Sequence, residues 1–415
     1  MATHRPNCVR RRGSIYLYVL SSSLLITIIG LGSLAAVRIQ MRSSCLRRDY
    51  AEARAYATSA IELGLFYVKQ DPTWRDTRPN GVWVQDQAIG SGRFTIQGID
   101  PGDGVLSDSQ YEPLVLTGIG TKGVTRHKAE VTLVPVIKPL QALQTCLHAS
   151  GLVHILAGKQ IVAVGAPIST NGQLDNEGIL DGDAQAQTVN RTGTITGAFT
   201  LPAPNKNMPD ATVIANYVSK ATALPYVATI DKVVLAPGCN PWGIGDPNGL
   251  YYIDTGGANV TIKNSRLNGT LIVKTGGGTL TVDTAAFFQN YRSDFPTLIV
   301  EGNVIINIQS CSVMLSEVTN AANYNPVGAS YEGIYDSDML DTYPNEIRGL
   351  IHINGSLSLQ QSARIVGTVI CDGPVTCEAA NTIIYNSVLY TSPPIGYTYV
   401  AEMKISPQSW RQVVD

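Results

Sequence analysis

The segment Ser14–Val37, "SIYLYVLSSSLLITIIGLGSLAAV", carries no charge. It exceeds the about 20 residues that a helix needs to cross a bilayer. It is also longer than the ~7–15 residues of a secretory h-region. A chain with such a segment must place it in lipid or lose it. A small-residue cleavage site can be drawn at Ser33-Leu34-Ala35, so a cleaved signal peptide is one alternative. Arginines flank both sides, Arg5, Arg10, Arg11 and Arg12 before and Arg38, Arg42, Arg47 and Arg48 after, and the positive-inside rule therefore does not orient the span. The long Gly-, Asn- and Thr-rich remainder reads as an exported β-protein, and the N-terminal stub is too short to fold. The expected orientation puts the N-terminus inside and the bulk of the chain outside.

From Arg38 to Gln70 there is no proline and a single glycine, Gly64, among residues rich in Ala, Arg, Leu and Glu. These are good helix formers, so span and continuation are expected to form one helix of roughly 55 residues. Leu46, Tyr50, Ala53, Ala57, Ala60 and Gly64 fall at spacings of 4, 3, 4, 3 and 4. They make one stripe of mostly small side chains, which lets another helix approach closely. The plain reading is an anchor with a helical stalk. The sharper reading is a helix that packs with copies of itself or with relatives.

The basic leader ending in Gly13, the uncharged span and the Ala/Glu-rich continuation together resemble the N-terminus of type IV pilins and type II secretion pseudopilins. The likeness covers residues 8 to 70 and is greatest to the minor-pilin group of PilX type. It implies cleavage by a prepilin peptidase between Gly13 and Ser14. It also implies other pilin-like subunits as partners of the helix, and a bacterial inner-membrane location. Ser14 stands where the family usually has Phe, and Tyr18 where it usually has Glu. Some minor pseudopilins at filament tips lack that Glu, so the resemblance points to an accessory subunit.

Beyond Trp74 the texture changes to alternating apolar residues with Gly and Asp turns. Phe94, Ile96 and Ile99 form one run, Leu114, Val115 and Leu116 another, and Val131, Leu133 and Val136 a third. This predicts an antiparallel meander of three to five strands between about 82 and 137, which with the helix gives a pilin-like arrangement. A repeat follows near the C-terminus. "GLIHINGSLSLQQSARIV" from Gly349 aligns without gaps to "GTVICDGPVTCEAANTII" from Gly367, an offset of 18 residues. Looser copies start at Gly269 and Pro296. Units this small bury an apolar face only by stacking on neighbours, which predicts a parallel β-helix. At least four coils are expected over about 260–390, with residues 146–202 supplying the first coils and a short helix over 210–224 lying on an end or side.

The expected fold is therefore mainly β: an N-terminal transmembrane α-helix extended into a stalk, a small antiparallel sheet and a C-terminal right-handed parallel β-helix. The expected boundaries are a basic leader at 1–13, the helix at 14–70 and the sheet at 71–138. The β-helix follows at 139–395, with residues 225–255 unassigned, and a tail at 396–415.

The largest interruption of the coils, 315–347, holds Glu317, Glu332, Asp336, Asp338, Asp341 and Glu346 and four tyrosines. A solvated acidic loop is the plain reading. A loop that contacts a protein or surface glycan is a second. Asp336, Asp338 and Asp341 also offer a carboxylate spacing suited to Ca2+, without the Gly and terminal Glu of an EF-hand. No other cofactor is expected. Cys371 and Cys377 point inward, either as a disulfide or as buried free thiols.

The net charge of -2 gives no basic balance for nucleic acid, and no CxxC or Cys/His cluster suggests zinc. Parallel β-helices host polysaccharide-cleaving enzymes, which need close carboxylates on one outer face. The two clearest coils offer only His352, Arg364, Asp372 and Glu378, apart from cysteines. His148 and His154 have no evident partners, and "GSGRFTIQG" at Gly90 reads as a turn. A non-enzymatic accessory pilin-like protein is thus expected. The alternatives are an anchored β-helical surface or adhesion protein without pili, and an anchored polysaccharide-active enzyme.

Overall fold

The structure is a computed structural model that describes residues 13–413. The expected leader at 1–13, Gly13 apart, lies outside the described residues. The chain forms two compact units, one built from residues up to Ile137 and from Val400 onward, the other from Lys138–Tyr399.

Helix α1, Gly13–Gln70, is one unbroken element of 58 residues. Its N-terminal half is solvent-exposed throughout and is long and apolar enough to cross a membrane. Its C-terminal half packs on an antiparallel sheet of β1 (Gly81–Ile89), β2 (Gly92–Ile99), β3 (Leu114–Lys122) and β4 (Thr125–Pro139), which lie side by side in that order. The alternation in the strands sends Phe94, Ile96, Leu114, Leu116, Val131 and Leu133 under the helix, where Ile61 and Val68 meet them.

The small-residue stripe serves this packing. Ala53, Ala57 and Ala60 are fully buried against the chain's own sheet. A Cβ placed on Gly118 would overlap the carbonyl oxygen of Ala57, and one on Gly120 that of Ala53. A Cβ on Gly64 would sit 3.3 Å from the side chains of Ile96 and Leu116, a tight contact but not a backbone overlap. The stripe therefore lets β3 approach the helix backbone. It does not leave those four positions free for another subunit; only Leu46 and Tyr50 remain substantially exposed.

Of the expected tail at 396–415, the described residues from Val400 on belong to the sheet unit. Strand Thr398–Ile405 lies beside β4, and Arg411–Val413 pairs antiparallel with Lys128–Glu130. The second unit is thus an insertion between strands of one sheet.

That unit is a stack of parallel coils comprising 22 short strands. Three inward ladders run through it. One is Ile253, Val273, Val300, Ile353, Cys371 and Ala149. A second is Ile262, Val282, Ile306, Leu359, Cys377 and Ile155. A third is Leu267, Phe288, Ile347, Ile365, Ile383 and Ala163. The sequence repeat is the structural register: Gly349 pairs with Gly367, Ile351 with Val369 and Leu357 with Val375. Glycine recurs because the coils touch at the turns. A Cβ on Gly373 would overlap the carbonyl of Gly355 in the coil beside it.

Stacking order departs from chain order. Residues 147–164 do not open a single run of coils. They pair on one side with 168–181 and on the other with the last coil, Val369 with Leu147 and Thr382 with Val162. The chain thus enters mid-stack, builds to one end by about residue 200, crosses, and restarts at the other end with Thr222–Leu224. It then builds back to close on its own entry coil. The unassigned 225–255 becomes coil strands at Thr229–Asp231, Val234–Leu235 and Leu250–Asp254.

The crossing carries the short helix, which spans Thr212–Val218 and ends before the expected 224 because Thr222–Leu224 is already strand. Val213, Ile214 and Tyr217 join Leu250, Ile272, Ile299, Leu350 and Ile370, so the helix covers a side of the stack. Under the same cover His148, 1% exposed, shares a 2.6 Å hydrogen bond with Ser169 Oγ. Burial, with Lys206 nearby, pushes its pKa down to about 3, against a counter-pull from Asp372.

Two outcomes follow. Gly120→Val forces a side chain into the Ala53 carbonyl and should cost roughly 2–3 kcal/mol; an unchanged melting midpoint would show that β3 does not lie against the helix backbone. His148 is neutral when folded and titrates near 6.5 when unfolded. Its folded pKa is depressed, so stability should hold above about pH 6.5 and fall progressively toward pH 3. Unfolding titrations of wild type and His148→Gln should diverge only over that range.

Candidate functional site

The most elaborated surface feature of the coil unit is the insertion that follows strand Leu298–Ile308 and ends before Glu346–Asn354. It is a packed lobe and not a solvated loop. Leu315, Tyr324, Ala329 and Tyr343 are buried with Val234, Ala236, Ala285 and Phe287 of the coils. Tyr331 and Tyr343 sit edge-on, with ring centroids 5.0 Å apart.

Two buried ionisable side chains hold the lobe. Arg266 projects from strand Val260–Asn268 and is 1% exposed. Its Nη1 donates to the carbonyls of Tyr324 and Ala329, both at 2.6 Å, and its Nη2 to that of Ser330 at 2.8 Å. The guanidinium also lies 5.3 Å from the Tyr331 ring and 5.4 Å from the Tyr343 ring. Burial lowers its proton affinity, while Tyr343, Tyr331, Glu317 and Cys239 oppose that effect. Glu317, fully buried, opens the short helix Glu317–Asn320. Its Oε1 accepts from Tyr324 N at 2.5 Å and from Tyr343 OH at 3.1 Å, and its Oε2 from Asp341 N at 3.0 Å. Backbone groups that an irregular segment would otherwise leave unpaired are satisfied in this way.

The three aspartates separate. Asp336 Oδ2 accepts from Asn325 Nδ2 at 3.3 Å, and its carbonyl accepts from Asn323 Nδ2. Asp338 and Asp341 come together with Glu317, not with Asp336; one oxygen of each lies within 4.8 Å of the others. Burial first, then Asp336, Glu317 and Asp338, raise the pKa of Asp341. Glu317 is already committed to three donors, which makes it a structural strut. On the outside of the lobe Ile334, Tyr335, Met339 and Leu340 are exposed beside Glu332 and Asp338. This surface presents apolar area interleaved with acidic groups.

The remaining candidates are structural. Cys371 and Cys377 are free thiols, each filling an inward ladder where the neighbouring coil has Ile353 and Leu359. Burial raises Cys371 to about 12 and raises Cys377 as well. Cys45 is exposed on α1. His154, expected without partners, lies 3.9 Å from Asp175 and 3.7 Å from Glu177 on the next coil. Asp372 sits 3.8 Å from His352 Nε2, and Glu378 accepts from Ser358 Oγ at 2.6 Å. Gly90 lies in the β1–β2 turn, as expected. Gly13 and Ser14 fall at the start of the described residues, within α1. Arg266 escaped the sequence reading, although a charged residue directly before the inward Leu267 was a signal.

No family model and no curated protein sequence matches this chain. Among solved structures, the chain is similar to the competence-associated pilin ComZ from Thermus thermophilus. The two are 12% identical, with 88% of this chain and 98% of that one covered, at a TM-score of 0.32. It is also similar to an ice-binding protein from the Antarctic ascomycete Antarctomyces psychrotrophicus, at 15% identity, 59% and 95% coverage and a TM-score of 0.21.

Arg266→Ala would leave three buried carbonyls without their donor, a loss of about 3 kcal/mol or more. The expected result is selective release of the lobe, seen as about a hundredfold faster limited proteolysis within 321–341. Equal cleavage rates would mean that the aromatic cluster alone holds it.

Proposed function

We propose that this chain is a membrane-anchored, pilin-like accessory subunit of a bacterial type IV pilus or type II secretion-like system, and that it works without catalysis. One observation carries this reading. An uncharged helix long enough to span a bilayer continues without a break into the half that packs on a four-stranded antiparallel meander. A span and a globular unit that share one helix hold the unit at a set distance from the membrane. The same continuity suits lateral packing of neighbouring spans, for which the apolar residues from Ile15 through Met41, together with Leu46 and Tyr50, remain exposed. In this reading the helix crosses the inner membrane once with its N-terminus cytoplasmic. The coil unit, inserted in the sheet, is the exported head. Its lobe, with Ile334, Tyr335, Met339 and Leu340, is the surface that meets a protein or glycan.

A second reading, an anchored β-helical surface or adhesion protein without pili, draws on the same lobe. The two part at Gly13–Ser14. N-terminal mass spectrometry of the protein from membranes, with and without prepilin peptidase, should show a chain starting at Ser14 only when the peptidase is present. An intact N-terminus in both samples would overturn the pilin reading in favour of a plain anchor. A start at Ala36 would overturn the anchor itself.

A further inference from the structure

The connection between β2 and β3, "DPGDGVLSDSQYE", runs from Asp100 to Glu112. In the structure it gathers four carboxylates. Asp100, Asp103, Asp108 and Glu112 each place one oxygen within 4.8 Å of the others. Asp100 Oδ1 and Asp103 Oδ1 accept from Gly102 N and Val105 N within the loop, and further contacts hold its shape. Leu106 is buried in the core under α1, together with Trp74 and Leu114. Arg75 donates to the carbonyls of Leu106 and Glu112. Asp100 N donates to Asn80 Oδ1 at 2.8 Å.

Within this frame two oxygens lack a donor. Asp100 is 3% exposed. Its Oδ1 accepts from Gly102 N at 2.6 Å, but its Oδ2 is buried and has no hydrogen-bond partner. Glu112 Oε2 is likewise buried and unpartnered. One oxygen of each of these two carboxyl groups lies within 4.8 Å of the other. Arg75, the nearby cation, spends its terminal nitrogens on main-chain carbonyls. A buried acceptor facing a second acceptor is costly unless something positive lies between them. That something is either a proton or a cation.

The donor set decides between cations. It is all oxygen, with no His or Cys, which disfavours zinc. It comes from an irregular loop with several carboxylates able to bind through one or both oxygens, which suits the variable 6–8-fold coordination of calcium better than the strict octahedron of magnesium. We propose that the β2–β3 loop is a Ca2+ site of the sheet unit, ligated by Asp100, Asp103, Asp108 and Glu112. Calcium there ties the loop that buries Leu106 to both strands, so folding of the sheet unit is linked to the ion.

The test uses the full chain in detergent, stripped with chelator and titrated with Ca2+ alone by calorimetry, alongside thermal melting. The wild-type chain should bind Ca2+, and Ca2+ should raise its melting midpoint where equal Mg2+ does not. Asp103 and Asp108 are exposed, so the double variant D103N/D108N should fold, which circular dichroism checks, yet lose at least about tenfold in Ca2+ affinity together with the thermal shift. D338N/D341N, in the lobe, should keep both. Failure of the stripped wild type to bind Ca2+, with a midpoint indifferent to the ion at pH 7–8, would mean that a shared proton bridges Asp100 and Glu112, and would overturn the site. Loss of the affinity and the shift in D338N/D341N, with both retained in D103N/D108N, would overturn it equally.

Discussion

Every coil of the second unit has two open faces, and parallel strands leave backbone donors and acceptors along both. A coil is stable only with a neighbour on each side, so the stack depends on where its ends fall. Here the chain closes on itself. The coil at 364–384 lies on the coil at 147–164, and neither the entry nor the return edge is left open. The 258 residues between the end of β4 at Pro139 and the strand Thr398–Ile405 are inserted in one sheet without interrupting either strand.

The first unit solves a related problem with small residues. Helix α1 is apolar and exposed over its N-terminal half and packed on a sheet over its C-terminal half. Ala53, Ala57 and Gly64 on the helix, with Gly118 and Gly120 on β3, bring the two backbones together so that Ile61, Ile96 and Leu116 interlock around them. The lobe and the β2–β3 loop are each held by side chains that bind main chain. Arg266 and Glu317 hold the lobe, and Arg75 holds the β2–β3 loop. The difference between the two lies in what remains over. In the lobe Glu317 has its donors, whereas in the β2–β3 loop Asp100 Oδ2 and Glu112 Oε2 do not.

Features confined to a contiguous segment appear in the structure. The apolar run, the helix that follows it, the period-2 strands at Phe94–Ile96 and Leu114–Leu116, and the offset of 18 residues between Gly349 and Gly367 all appear as observed elements. These depend on periodicity and on side-chain volume along a contiguous segment, and both are written in the chain. The small-residue stripe was legible as a close-packing surface, but its partner was not, because a helix face does not specify whether a sheet of the same chain or another subunit fills it.

The sequence by itself determined which segments are helix, strand and turn, and which face of each is apolar. Tertiary structure alone decided who meets whom: β3 on the stripe, 369–371 on 147–149, Arg266 under Tyr324 and Ala329, and Glu112 beside Asp100. The physical reason is one of range. Backbone propensity and hydrophobic alternation act over a few residues and leave a pattern there. Stacking of like coils is nearly degenerate in register and order, since any apolar ladder covers any other. Only the requirement that the whole chain bury every face at once selects the arrangement.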